Sequence, residues 1–285
     1  MRAVIQRTGL SADTIRIWER RYAVVSPLRT EGNARRYTEH DVQRLLALRT
    51  AVAGGRSIGE LAGLSNDVLR SLSPAIGPTA EADALVADYL VALHRFDVST
   101  CESLLARSMM LAPTALVFGV AAPILRAIGQ DWGDGALSIA EEHLASFQLR
   151  SLFASILGNR RAPTDAPRVV FAAPAGQHHE LGVLMAAALA SERGAAPVML
   201  GANTPMADAL LAAERSSASL IVLGLSRSPS EDERATLSLS FGQVPKSIDV
   251  WLGLRADDRE GWPARVRVLP RLEEFDQAIA ERSWK

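Results

Sequence analysis

The sequence predicts a multidomain chain in three parts: a winged helix-turn-helix head over residues 1–72, a four-helix bundle over 80–160, and a doubly wound parallel α/β sheet over 166–285. Three observations carry this fold class. Short helical stretches flank a turn-rich, Arg-studded segment near the N-terminus. Four helical stretches with little strand character follow. After NRRAPTDAPR (159–168) the rhythm changes to apolar strands alternating with helices, the pattern of a parallel sheet.

In the head, Ser11 can cap a helix through TIRIWERRY. Thr38 can cap a second along DVQRLLALRTAVAGG, where Val42, Leu45, Leu46 and Leu48 or Arg49 keep helical spacing. Ser57 with Glu60 forms a capping box for a third, IGELAGL. PLRTEGNARRY between the first two suits a hairpin, and SPAIGPTAEA (73–82) reads as a linker. The bundle helices are expected over Ala84–Arg95, Ser99–Leu111, Thr114–Gln130 and Ile139–Leu157. The last opens on a second capping box, Ser138 with Glu141. Strands are expected at RVVFAAP, APVMLG, SLIVLGLS, DVWLGL and RVRVLP. Helices start from Glu180 and Pro205, another covers SPSEDERATLSLSFGQ, and a last one follows the final strand.

With 285 residues, 48% hydrophobic and 22% charged, the chain has ample material for globular cores. Its charge is unevenly spread. Residues 1–72 hold twelve Arg and seven acids, whereas the remainder holds nineteen basic and twenty-five acidic residues. A basic head on an acidic body suggests that the head meets a polyanion. The lone Cys101 excludes an intramolecular disulfide and a Cys-rich zinc site, and fits a reducing cytosol. The N-terminus has no apolar signal segment, and a cytoplasmic location is expected. The longest uncharged run, Ser108 to Leu125, is interrupted by Pro113, Thr114 and Pro123 and reads as a buried bundle helix, not a membrane span.

Helix, turn, helix and an Arg-bearing hairpin make the geometry of a winged DNA reader. Arg16, Arg20 and Arg21 project from one helix, and Arg29, Arg35 and Arg36 stud the hairpin. Arg on a helix can bond guanine edges in a major groove, and hairpin Arg can hold flanking phosphates. TGLSADTIRIWERRY followed by PLRTEGNARRYTEHDVQRL resembles the N-terminal domain of MerR-family transcription regulators over most of residues 3–64. The resemblance implies that Trp18 and Tyr37 pack or face phosphate, and that the domain binds a double-stranded palindromic operator as a dimer. It also implies a short first helix or a start further upstream. Ala23 stands where such sequences often carry a helix-ending Gly.

Two further motifs point to a cofactor. QHHELG (177–182) follows the first sheet strand, at the carboxyl edge where open α/β sheets bind ligands, and a neutral imidazole there can ligate a transition metal. DWGDGALSIAEEH places Trp132 nine intervening residues before the pair Glu142–His143. A flat indole with an acid and an imidazole can enclose a nucleoside. Residues from about 80 to 285 resemble the cobalamin-binding regulators, in particular the CarH group of light-responsive repressors. That resemblance implies adenosylcobalamin as cofactor, with His179 as lower axial cobalt ligand and Gly182 letting a helix start close beneath the corrin ring. It implies Trp132, Glu142 and His143 over the upper face. As further parts of the pocket, Gly201 and Thr204 follow the second strand, and Ser226 and Gly253 lie where such domains contact the nucleotide tail; their alternative role is as ordinary strand-end turn residues.

Three positions depart from the pattern. Gln177 stands where an acid is usual, so weaker lower-face ligation or a greater base-on tendency is expected. Gly133 stands where CarH-like proteins often have a His that captures cobalt after light, and His143 is the nearest substitute. Leu254 replaces a second Gly. The expectation is a non-enzymatic, light-responsive repressor whose assembly as a homodimer or homotetramer depends on adenosylcobalamin. The alternatives are a light-insensitive cobalamin-responsive or ligand-independent regulator, and a corrinoid-carrying methyltransferase module. A nucleotide-dependent dehydrogenase is disfavoured because no G-x-G-x-x-G follows a strand, and a phosphorylated receiver because FAAP lacks acids.

Overall fold

The computed structural model describes residues 4–5, 8, 10, 12–25, 27–29, 35–53, 58–66, 69, 80–159 and 162–284. These form two units, Met1–Gly77 and Pro78–Lys285.

The first unit contains α1 (Ala12–Tyr22), β1 (Leu28–Arg29), β2 (Arg35–Arg36), α2 (Glu39–Ala53) and α3 (Ile58–Leu61). The expected hairpin forms: β1 and β2 pair antiparallel, Leu28 opposite Arg36 and Arg29 opposite Arg35. Ile15 and Trp18 from α1 meet Val42, Leu45 and Leu48 from α2 in a core with Val24, Val25 and Leu61. Thr38 caps α2 as expected, donating its own N–H to Asp41 Oδ2 at 2.8 Å while its Oγ accepts from the Asp41 N–H at 3.2 Å. The proposed caps Ser11 and Ser57 lie outside the described residues. Arg44, unremarked in the sequence, is a structural hub. Its guanidinium donates to Val24 O, Ala62 O, Leu64 O and Asn66 Oδ1, so its charge closes loop ends instead of facing solvent.

The second unit opens with α4 (Ala80–His94), α5 (Val98–Ser108), α6 (Pro113–Leu116), a π turn (Val117–Ala121), α7 (Ala122–Gly133) and α8 (Ile139–Asn159). One sequence expectation needs correction: Ala80, Glu81 and Ala82, read as linker, already belong to α4. The third helix runs through Pro123 as expected, with a π turn in its path. Pro113 sits at the first position, where its missing N–H is harmless, and Pro123 lies in the first turn after the π turn. The helical run Pro113–Gly133 is long and apolar enough to cross a membrane, but half of its most apolar window is buried within this unit. Leu116, Val117, Val120, Ile124 and Ile128 supply that buried side.

The sheet follows: β3 (Arg168–Pro174), α9 (Leu181–Glu192), β4 (Ala196–Thr204), α10 (Met206–Ser216), β5 (Leu220–Gly224), α11 (Glu231–Gln243), β6 (Asp249–Gly253), β7 (Val266–Val268) and α12 (Leu272–Glu281). The strands run in the order β4-β3-β5-β6-β7, all parallel. The segment LGVLMAAALASE explains how bundle and sheet join. Val183 to Ala190 are all buried, so α9 shows no polar face, the mark of a helix enclosed on all sides. It packs on α8, α12 and strands β3, β4 and β5. One continuous core therefore runs from Leu149 and Phe153 of the bundle through Leu184 and Leu189 to Phe171 and Phe275. A second core lies on the other sheet face, under Met206, Ala209, Ala213 and Phe241. A charge introduced at Ala187, 0% exposed, would be unpaired in that first core and destabilise the unit strongly.

Candidate functional site

In an open parallel sheet the ligand crevice lies beyond the carboxyl ends of the strands, where the winding direction reverses. Here β3 is flanked by β4 on one side and β5 on the other, which puts the reversal between β3 and β5. The loops after these strands, 175–180 and 225–230, are joined across the crevice by one side chain. Gln177, 2% exposed, accepts through Oε1 from the Ser226 N–H at 2.9 Å, the Ser226 Oγ–H at 3.1 Å and the Arg227 N–H at 3.2 Å. Arg227 in turn donates to Gly176 O at 3.1 Å and is ion-paired with Glu233 in the first turn of α11. Ser230 and Glu233 make a capping box there, which the sequence reading missed although S-x-x-E was legible in it. The acceptor that Gln177 was expected to offer is thus committed to the opposite loop.

His178 and His179 follow on the exposed lip of this loop. Gly182, in the first turn of α9, faces open space: a Cβ built there meets nothing within 4 Å. Close approaches surround it instead. A Cβ on Gly224, at the end of β5, would come within 2.5 Å of Val183 Cγ1, and one on Gly201 (φ +83°) within 2.9 Å of Glu180 Oε2. Gly201 and Thr204 were expected to follow the second strand; they lie inside β4, whose pairing with β3 is irregular from Ala172 onward. Thr204 is buried and its hydroxyl donates to Gly201 O at 3.3 Å. Gly253 ends β6 beside Gly224, and its carbonyl accepts from the Leu225 N–H at 2.8 Å.

The bundle brings the other motif to the same crevice. Trp132 lies in the last turn of α7, half exposed, and Glu142 and His143 lie in the first turns of α8. Ser138 and Glu141 form the expected box: Glu141 Oε2 accepts from the Ser138 N–H at 2.7 Å, and Ser138 Oγ accepts from the Glu141 N–H at 3.3 Å. Glu142 accepts from Ser146 Oγ at 2.6 Å and pairs with His143 Nδ1 at 2.7 Å. Burial pushes the Glu142 carboxyl upward, but the bonds from Ser146 and His143 and the charges of His143 and His179 outweigh it and hold it below the usual carboxylate range. His179 therefore lies within electrostatic reach of Glu142, from a loop some forty residues later in the chain. The ion pair Arg150–Glu180 at 2.9 Å ties α8 to the residue after His179.

Among the described residues no cluster of three or more His, Cys, Asp and Glu is arranged to hold a metal. A single exposed imidazole suits a metal whose other ligands come from its own macrocycle. With open space before Gly182, the donor set fits a corrinoid. A cavity of about 480 Å³ lies elsewhere, at the amino ends of β6 and β7, among Trp251, Arg265, Arg267 and Arg282. Its arginines are largely engaged in structure: Arg265 binds four carbonyls of the 241–248 segment, and Arg282 binds Asp249 and Ser219 O.

On the head, Arg16, Arg20 and Arg21 lie on an exposed surface of α1, and Arg36 is exposed on β2. Arg35 differs. Its Nε donates to both Glu19 carboxylate oxygens, at 3.0 and 2.9 Å, and Tyr37 donates to the same carboxylate at 3.2 Å. Burial first, then Glu19, pushes the Tyr37 phenol up to about 12. Trp18 is buried, as expected for packing. The Arg29 side chain lies outside the described residues.

A helix-turn-helix head with an Arg-bearing wing, joined to a helical bundle and a parallel sheet with an imidazole at its switch point, defines a transcription regulator with a corrinoid-binding body. Residues 1–67 match the MerR HTH family of regulatory proteins, and residues 85–156 the B12 binding domain. The chain belongs to the family of MerR-type, B12-binding transcription regulators. It is 32% identical over 257 residues to the HTH-type transcriptional repressor CarH of Myxococcus xanthus, covering 86% of this chain and 85% of that relative. It is 28% identical over 240 residues to the repressor CarA of the same organism, covering 83% and 80%. Among solved structures, the monomethylamine corrinoid protein of Methanosarcina barkeri superposes with a TM-score of 0.55 over 70% of this chain and 98% of that one, at 10% identity. That likeness concerns the fold alone.

Proposed function

We propose that this regulator is a repressor whose self-assembly and operator binding depend on adenosylcobalamin, and that light releases it from DNA. The observation that carries the reading is the Arg150–Glu180 ion pair at 2.9 Å, which ties the bundle helix bearing Glu142 and His143 to the residue after His179. His179 would hold the cobalt, and Gly182 would leave room for the ring. Trp132, Glu142 and His143 enclose the upper group, the indole by stacking and the acid and imidazole by hydrogen bonding. Gly201, Thr204, Ser226 and Gly253 line the nucleotide tail. Arg16, Arg20, Arg21, Arg29 and Arg36 contact the operator, with Tyr37 and Arg35 bracing the wing through Glu19.

When bound, the cofactor supplies a cobalt–carbon bond that light can break. The residues of this chain convert its state into assembly. With the upper group held, Trp132 and the Glu142–His143 pair are ordered; without it they are released. Moving from mostly assembled to mostly dissociated takes about 5 kcal/mol of differential stabilisation, which contacts to a whole nucleoside can supply. Dimers or tetramers of the body pair the heads on a palindromic operator.

The test is an absorption spectrum of the protein with adenosylcobalamin, before and after green light, with size and operator binding followed in parallel. The expected result is a bound spectrum that changes on illumination, together with disassembly and release of DNA. His179→Ala should weaken binding and alter the spectrum; an unchanged spectrum and affinity would exclude His179 as ligand. A second reading, a cobalamin-responsive regulator without a light response, is favoured by Gly133 and by the engagement of Gln177 with Ser226 and Arg227. Constant size and DNA binding through illumination would select it. Methyl transfer to cobalamin in an assay with methyl donors would instead favour a corrinoid carrier.

A further inference from the structure

His94, the last residue of α4, lies where three helices end or begin. Its Nδ1 is 3.1 Å from Glu141 Oε1, in the first turn of α8, and its Nε2 is 3.4 Å from Asp131 Oδ2, in the last turns of α7. These are the charged groups within ion-pair distance of it. Each is the immediate chain neighbour of a residue assigned to the upper face: Asp131 precedes Trp132, and Glu141 precedes Glu142.

An ionised carboxylate can only accept a hydrogen bond. The Nδ1 contact with Glu141 is a hydrogen bond, and the longer approach of Nε2 to Asp131 is an ion-pair contact on the opposite side of the ring. The carboxylates are themselves built into the turn. Glu141 spends Oε2 on the Ser138 cap, leaving Oε1 for His94. The Asp131 carbonyl accepts from the N–H groups of Ala136 at 2.8 Å and Leu137 at 3.2 Å, closing the loop between α7 and α8. Leu137 is buried beneath it. His94 is thus joined by its side chain to both ends of the loop that separates Trp132 from Glu142.

We propose that His94 is a positioning residue for the upper face: set between Asp131 and Glu141, it clamps the end of α7 to the start of α8 and sets the separation between the Trp132 indole and the Glu142–His143 pair. It rests on the assignment of those three residues to the upper group. Because the clamp acts on one face only, it selects among upper ligands without touching lower-face ligation.

The experiment compares affinities of the full chain for adenosylcobalamin and hydroxocobalamin in the dark. His94→Gln, whose donors sit on a single nitrogen and cannot span to both carboxylates as the ring does, should weaken adenosylcobalamin binding about tenfold, the worth of one charge-assisted hydrogen bond in positioning. Hydroxocobalamin affinity should stay within about twofold. His94→Arg, whose planar fork can donate to both carboxylates, should restore most of the preference. Equal loss of both cobalamins, or no loss of either, would overturn the proposal. Trp132→Ala is the control for the underlying assignment. If it leaves adenosylcobalamin affinity unchanged, the upper-face reading and the clamp fall together. If it weakens that affinity while His94→Gln does not, the clamp alone falls.

Discussion

Removing the Gln177 side chain tests how the crevice is held together. Gln177→Ala deletes one acceptor that serves three donors, at 2.9, 3.1 and 3.2 Å. At about 1 kcal/mol net for each hydrogen bond, the loss would reach about 3 kcal/mol. Two of those donors are backbone N–H groups of Ser226 and Arg227. Both residues are exposed, so water can reach part of the vacated site and lower the cost. The expected destabilisation of the second unit is therefore about 2–3 kcal/mol. Urea unfolding of the cofactor-free chain, followed by circular dichroism, reads it directly. Gln177→Glu keeps an acceptor at the same reach and should retain most of the stability above the titration range of the new carboxyl. Cobalamin titration should show the same ranking, since loop 175–180 carries His179. A shift below about 0.5 kcal/mol for Gln177→Ala, or equal losses for Ala and Glu, would refute the bridge as what holds these loops.

Three further outcomes follow from local geometry. Ala23 adopts φ 49°, a left-handed conformation that costs an L residue about 1–2 kcal/mol, so Ala23→Gly should stabilise the head by about 1 kcal/mol after the entropy of glycine is counted; a lowered melting transition would contradict this. Arg36→Ala should weaken operator binding and reduce its salt slope by about 1, whereas Arg35→Ala should lower the head's melting transition through its lost pair with Glu19; binding isotherms at several salt concentrations and head melting separate the two, and matching phenotypes would reject the distinction. Glu233 is lowered from its ordinary 4.5 to about 2, chiefly by the bond from Arg227 and then by the Ser230 N–H. A depressed carboxyl stabilises the fold above its unfolded pKa and loses that contribution as pH falls through the folded one. Glu233→Gln should therefore flatten the acid limb of the stability curve between about pH 4.5 and 2, and parallel curves for both proteins would dismiss the interaction.

Much of this was legible in order along the chain. The hairpin, the Ser138–Glu141 cap, the five strands and the strand-end placement of His179 all follow from local pattern, because turns, caps and period-two apolar runs are set by near neighbours. The errors fell where local signals were overridden. Ala80 to Ala82 read as linker because of the Gly and Pro before them. Gly201 reads as a turn residue but ends up in an irregular strand beside Glu180. Arg35 and Arg36 are adjacent and chemically identical, and only folding assigns one to Glu19 and leaves the other exposed.

The sequence by itself determined the class of the protein: an Arg-rich winged head, a helical bundle, and a parallel sheet with an imidazole after its first strand. Spacing along the chain also paired Trp132 with Glu142 and His143. Tertiary structure alone decided what these residues meet. It brought Glu142 toward His179, turned Gln177 away to Ser226 and Arg227, and set His94 between Asp131 and Glu141. The physical reason is range. Helices, caps and turns arise from contacts a few residues apart, whereas a cofactor crevice arises where α9, buried on every side, draws the bundle onto the carboxyl edge of the sheet.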